Sequence, residues 1–105
     1  MPYTQNWISE THTRAEIEAL EGTTLLEFGA EWCPHCQQIQ AALEHALPKE
    51  IRHLKFEDGK GRRLGRSFGV KLWPNFVLIR QGQILAQLAR PDAQQLQSAL
   101  DQLSQ

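Results

Sequence analysis

Two cysteines, Cys33 and Cys36, stand two residues apart, and the 105-residue chain has no others. A disulfide that staples a fold does so by closing a long loop. This loop is too short for that, so the pair serves chemistry or a metal. The thiolate is the attacking species in disulfide exchange, whereas an ordinary cysteine, with a pKa of about 8.5, is mostly protonated at neutral pH. Two neighbours favour the anion at Cys33. Pro34 suits the first position of a helix, because it has no N–H to lose and its φ is preset. Cys33 then becomes the N-cap, facing the free N–H groups and the positive end of the helix dipole. His35 adds an imidazole beside the sulfur. Cys33 is therefore expected as an exposed nucleophile. Cys36, one turn in, is expected to attack a mixed disulfide on Cys33 and release the product.

Other uses of the pair stay open. Cysteine is a good core residue, so two buried structural thiols are one. Zinc is another, and it needs two further ligands, from His12, His35, His45 or His53. The chain has no second C-x-x-C and no H-x3–5-H. A C-x-x-C near a β-α-β pattern in a cytosolic chain favours redox work.

The elements that must position the cysteines follow from apolar spacing and from caps. Residues 3–9 read as a weak first strand. Thr13 to Glu16 has capping-box form, with Thr13 as N-cap, and Ile17, Leu20 and Gly22 complete a short helix and its stop. Residues 23–28 read as a buried strand interrupted by one carboxylate, Glu27. The helix opened by the cysteine motif has an apolar face of Cys36, Ile39, Leu43 and Leu47, and Pro48 ends it. Residues 51–57 form a strand, 60–68 a short glycine-weakened helix, and 75–80 and 83–88 two strands about a Gln81-Gly82 hairpin turn. Asp92 caps a last helix, with Gln95 three residues on and Leu96, Leu100 and Leu103 facing inward.

The order β-α-β-α-β-α-β-β-α gives an α/β domain over residues 1–105. Its central mixed sheet is mostly parallel, flanked by helices, with the hairpin as an antiparallel edge. Apolar residues make up 41% of the chain, and the net charge is −1. That charge excludes binding to nucleic acid by bulk positive charge. No run approaches the ~18 apolar residues of a membrane helix. Met1-Pro2-Tyr3-Thr4-Gln5-Asn6 is not a secretory signal, so a cytoplasmic monomer is expected.

The stretch Phe28-Gly29-Ala30-Glu31-Trp32-Cys33 with Cys36, and Phe68-Gly69-Val70-Lys71 leading to Pro74, resemble the two landmarks of the thioredoxin family. Element order and length agree with that family over nearly the whole chain. The resemblance implies the thioredoxin fold and a thiol–disulfide oxidoreductase with Cys33 and Cys36 as its redox-active disulfide and no other cofactor or metal. It implies protein disulfides as substrates, with glutathione or a thioredoxin-reductase-like donor as partner. It makes Pro74 a cis-proline beside the cysteines, with Trp73 and Trp32 as walls of a substrate groove and the N–H and C=O of Trp73 free for an extended peptide. Glu27 takes the place of a buried aspartate behind the second cysteine, where it would accept the proton of Cys36. Lys55 takes the place of a lysine paired with that carboxylate.

Departures from the family pattern are also present. Gly29 replaces a tryptophan under the active site, Ala89 replaces a glycine, and the helix after Cys36 lacks a kinking proline. Pro34-His35 is similar to the dipeptide of the periplasmic oxidase that introduces disulfides, which is expected to move the couple toward the oxidising end. Lys60, Arg62, Arg63, Arg66 and Lys71 form a basic cluster, read either as a solvated helix face or as a dock for an acidic partner or glutathione. A redox-regulated binding module on the same fold is the alternative to an enzyme.

Overall fold

Strands buried on both faces form the middle of a sheet. Thr23–Gly29 (β1) is such a strand, buried at every residue after the first. It pairs in parallel with Arg52–Glu57 (β2) and antiparallel with Asn75–Arg80 (β3), which pairs antiparallel with Gln83–Ala89 (β4). The order across the sheet is β2-β1-β3-β4. The computed structural model describes residues 3–9 and 12–103, without the side chain of Leu103, so the inward placement expected of Leu103 lies outside the described residues.

The sheet is mixed, as expected, but not mostly parallel. The connection from β2 to β3 carries a helix, Arg63–Ser67 (α3), of five residues rather than the nine expected. The chain enters β3 at the edge where it left β2 and runs back antiparallel to β1.

The expected first strand shrinks to one parallel bridge between Ile8 and Phe56. The Ile8 N–H donates to the Lys55 carbonyl and the Glu57 N–H to the Ile8 carbonyl, both at 2.8 Å. Further back, the segment spends its backbone groups on side chains of β2 instead, so no ladder extends.

Alternation along β1 divides the core. Leu25 joins Phe76 and Leu78 under Ile39 and Leu43 of Pro34–Ala46 (α2) and Leu96 and Leu100 of Ala93–Leu103 (α4). Leu26 and Phe28 join Val77 and Ile79 against Ile17 of Arg14–Glu18 (α1) and Leu64 of α3. Each such side chain contributes roughly 1.5–3 kcal/mol by leaving water. Leu43, Leu47 and Cys36 are buried as their spacing requires.

Local signals hold these pieces in place. Thr13 and Glu16 form the expected capping box. At the hairpin, Gln81 and Gly82 both have positive φ, +48° and +85°, the turn whose twist matches its strands. A Cβ on Gly82 would stand 2.8 Å from the Glu18 carbonyl oxygen, so only glycine passes under α1 here. Asp92 Oδ1 accepts the Gln95 N–H at 2.8 Å, and Gln95 Oε1 accepts the Asp92 N–H at 2.9 Å. Asp92→Ala should therefore cost about 1 kcal/mol. Urea unfolding should show a lower midpoint with an unchanged slope.

Candidate active site

Cys33 is the N-cap of α2 and Pro34 its first residue. The Cys36 N–H donates to Cys33 Sγ at 3.2 Å, so the sulfur does the work of a capping oxygen. No disulfide joins the two cysteines. Cys33 is not the open nucleophile expected: it is 4% exposed and Cys36 1%, because Ala30, Trp7 and Trp73 pack around the pair. His35 is exposed and lines a cleft with Pro74 and Arg90. Burial above all, then the Cys33 sulfur, push the Cys36 thiol up to about 12, and the Glu27 charge adds to this. Cys36 therefore holds its proton at neutral pH.

Gly29 explains part of that burial. A Cβ there would meet Cys36 Sγ at 2.5 Å and the Trp7 ring at 3.0 Å. The space vacated by the missing family tryptophan is thus occupied by Trp7, which reaches in from the N-terminal segment.

Glu27 lies beneath the pair, fully buried on the α2 side of β1. The Gln40 amide donates to Glu27 Oε2 at 2.7 Å and to the Cys36 carbonyl at 2.8 Å. His53 Nε2 lies 2.9 Å from Glu27 Oε1, and the Thr4 N–H donates to His53 Nδ1 at 2.9 Å. A backbone N–H only donates, so Nδ1 is the acceptor and Nε2 carries the proton toward Glu27. The carboxylate is held by two neutral donors. Lys55 is not its direct partner. Its Nζ donates to Gln40 Oε1 at 2.9 Å and to the Gln5 carbonyl at 3.1 Å, and lies 4.5 Å over the Trp7 ring. Burial lowers the Lys55 pKa, and the Glu27 and Cys36 charges oppose that. The Tyr3 hydroxyl donates to the same Gln40 oxygen at 2.7 Å.

Trp73-Pro74 is a cis peptide. The indole of Trp73 packs against the cysteine cluster and donates to Asp58 Oδ2 at 2.9 Å. Trp32, 72% exposed, meets it edge-on with centroids 5.5 Å apart. One expectation fails here. The Trp73 carbonyl is not free, because Arg90 Nε donates to it at 2.7 Å. Ala89 pairs with Asn75 at the end of β4, and the next residue, Arg90, has left-handed backbone at φ +48°.

Among the described residues no three of His, Cys, Asp and Glu come together to hold a metal ion. Both ring nitrogens of His53, one of the four zinc candidates, are engaged by Glu27 and Thr4.

A capped dithiol at a helix N-terminus, a cis-proline beside it and a buried carboxylate behind it, on a mixed sheet with helices on both faces, are the parts of a thiol–disulfide oxidoreductase. The thioredoxin family model matches residues 6–102, and the chain belongs to that family. Thioredoxin 2 from Pseudomonas aeruginosa PAO1, in its reduced form, is 46% identical, with a TM-score of 0.85 and 96% of each chain covered. Thioredoxin-1 of Drosophila melanogaster is 27% identical over 91% of this chain and 92% of its own. The thioredoxin of Rhodospirillum rubrum is 26% identical over 75% of this chain and 79% of its own. The protein is a thiol–disulfide oxidoreductase of thioredoxin fold.

Sequence reasoning missed Gln40, Trp7 and Arg90, and weighed His53 only as a zinc ligand. His53 sits two residues before Lys55 in β2, so the two share a face.

Two outcomes follow from this geometry. Iodoacetamide at neutral pH should label Cys33 and spare Cys36; peptide mapping that finds both labelled at similar rates would contradict the assignment. Gln40→Ala removes the partner of Glu27 Oε2 and of the Tyr3 hydroxyl and one of the two acceptors of the Lys55 ammonium. It should lower stability by roughly 1–3 kcal/mol in chemical denaturation.

Proposed function

We propose that the protein reduces disulfides of other proteins through Cys33, with Cys36 as the resolving thiol and no cofactor beyond the pair itself. The observation that carries this is the asymmetry of the two sulfurs. Cys33 Sγ accepts an N–H at the end of a helix, while Cys36 is held as a thiol. Cys33 attacks a substrate disulfide as thiolate, one sulfur of the substrate leaves as thiolate, and a mixed disulfide forms. The Cys33 charge, one of the causes that raised Cys36, is then gone. Cys36 loses its proton, attacks Cys33, and the second substrate sulfur leaves. Two electrons have passed to the substrate, and Cys33 and Cys36 are joined. An external dithiol donor reverses that bond.

Glu27 is the proton acceptor for Cys36. It is the buried carboxylate whose charge acts on that thiol, and Gln40 ties it to the Cys36 carbonyl. Trp32, Trp73 and Pro74 form the surface on which the substrate lies. His35, exposed at the second residue of α2, borders that surface. The reading places the protein in a reducing compartment, the cytoplasm, acting as a monomer, with glutathione mixed disulfides as secondary substrates.

The test uses trapping and kinetics together. Cys36→Ser should accumulate a mixed disulfide on Cys33, seen by mass spectrometry, and Cys33→Ser should give none. Glu27→Gln should leave the attack rate intact and slow release of the mixed disulfide by about a hundredfold. Trapping on Cys36 would reverse the roles, and unchanged release would remove Glu27 from the chemistry.

A further inference from the structure

Trp73 and Pro74 separate two clefts. The first lies between residues 58–60, α3 and Trp73, and carries Lys60, Arg62, Arg66 and Lys71. The second lies between α2 and the start of α4, and carries His35 and Arg90. Together they hold five of the chain's eleven lysines and arginines and two of its twelve carboxylates. Both carboxylates are committed, Asp58 to the Trp73 indole and Asp92 to the Gln95 N–H. Arg62 is paired with Glu57. A chain of net charge −1 therefore turns a positive surface toward its dithiol. The exposed Trp32, packed on Trp73, forms an apolar ridge between the clefts.

Arg90 is the informative residue. It occupies left-handed backbone without being glycine, a cost of order 1 kcal/mol that concentrates at functional sites. Its N–H holds the Pro74 carbonyl at 2.8 Å, and its exposed guanidinium covers the Trp73 carbonyl. A guanidinium binds a carboxylate more strongly than it binds a neutral carbonyl, and with two parallel bonds.

Building on the exchange reading above, we propose that Arg90 selects protein disulfides flanked by acidic residues. A substrate carboxylate draws the guanidinium off Trp73. The bared carbonyl then accepts a backbone N–H of the substrate, as in strand addition, and the cleft holding Arg66 and Lys71 receives a second acidic side chain. A neutral segment has nothing to offer Arg90 in exchange and meets a covered carbonyl.

The test measures kcat/KM of the full chain on three peptides that share one disulfide and differ in flanking Glu, Ser or Lys. Dithiothreitol is the electron source. The acidic peptide should exceed the basic one by about tenfold or more, with the gap closing as salt rises. Arg90→Gly, which keeps the backbone its φ requires, should speed the serine peptide and shrink the Glu-to-Ser ratio severalfold. Arg90→Lys should not restore that ratio fully, because an ammonium cannot make the paired bonds. Arg66→Glu with Lys71→Glu should reverse the Glu-to-Lys preference. Equal rates on the three peptides overturn the selectivity and leave the exchange reading standing. A Glu-to-Ser ratio unmoved by Arg90→Gly overturns the role of Arg90. No turnover of any peptide overturns the exchange reading and this inference with it.

Discussion

A carboxylate fully enclosed by protein is tolerated only where every one of its oxygens finds a donor, and Glu27 sits fully buried in the central strand. Much of the molecule is arranged around that requirement. β2 sends His53, α2 sends Gln40, and the N-terminal segment fixes the histidine through the Thr4 N–H. Thr4 Oγ1 closes the ring by donating to the His53 carbonyl. Three segments far apart in the chain converge on one side chain, and α2 cannot shift against β1 without breaking the bond from Gln40 to Glu27. The position of Cys36 is therefore tied to the solvation of a charge beneath it.

The same network separates Lys55 from Glu27 by one amide. A direct ion pair would bring an ammonium against the carboxylate and lower its affinity for a proton. With Gln40 between them, the ammonium is satisfied by an amide oxygen, a backbone carbonyl and the face of Trp7. The carboxylate keeps two neutral donors, Gln40 and His53.

What was legible in the sequence was local. Cys33-Pro34, Thr13-Glu16 and Asp92-Gln95 each announce a helix start because a cap is a contact between near neighbours. Gln81-Gly82 announces a hairpin because two positive φ angles are needed in two residues. The limits of β1 to β4 fell within a residue of those expected, whereas the strand expected over 3–9 did not form. What stayed hidden depends on distant contacts. The direction of β3 rests on its pairing with the distant β1, and the partners of Glu27 on a register that sets Glu27 beside Lys55 and Leu25 beside His53. Gln40 reads as one more polar residue on an amphipathic helix, and Arg90 as one more surface cation. The cysteines could be read as a pair; the environment that makes them unlike could not.

Gly29 and Trp7 share one volume beside the Cys36 sulfur, a side chain absent from one position and supplied from the other, twenty-two residues earlier. Neither can change size alone without a clash or a void at the reacting sulfur. In lineages of this protein the two positions should therefore drift together, a bulky residue at 29 arriving only with a small one at 7. The first strand-like segment is then less a stretch to be trimmed or fused at will than a detachable wall of the dithiol's chamber, inherited along with the hole it fills.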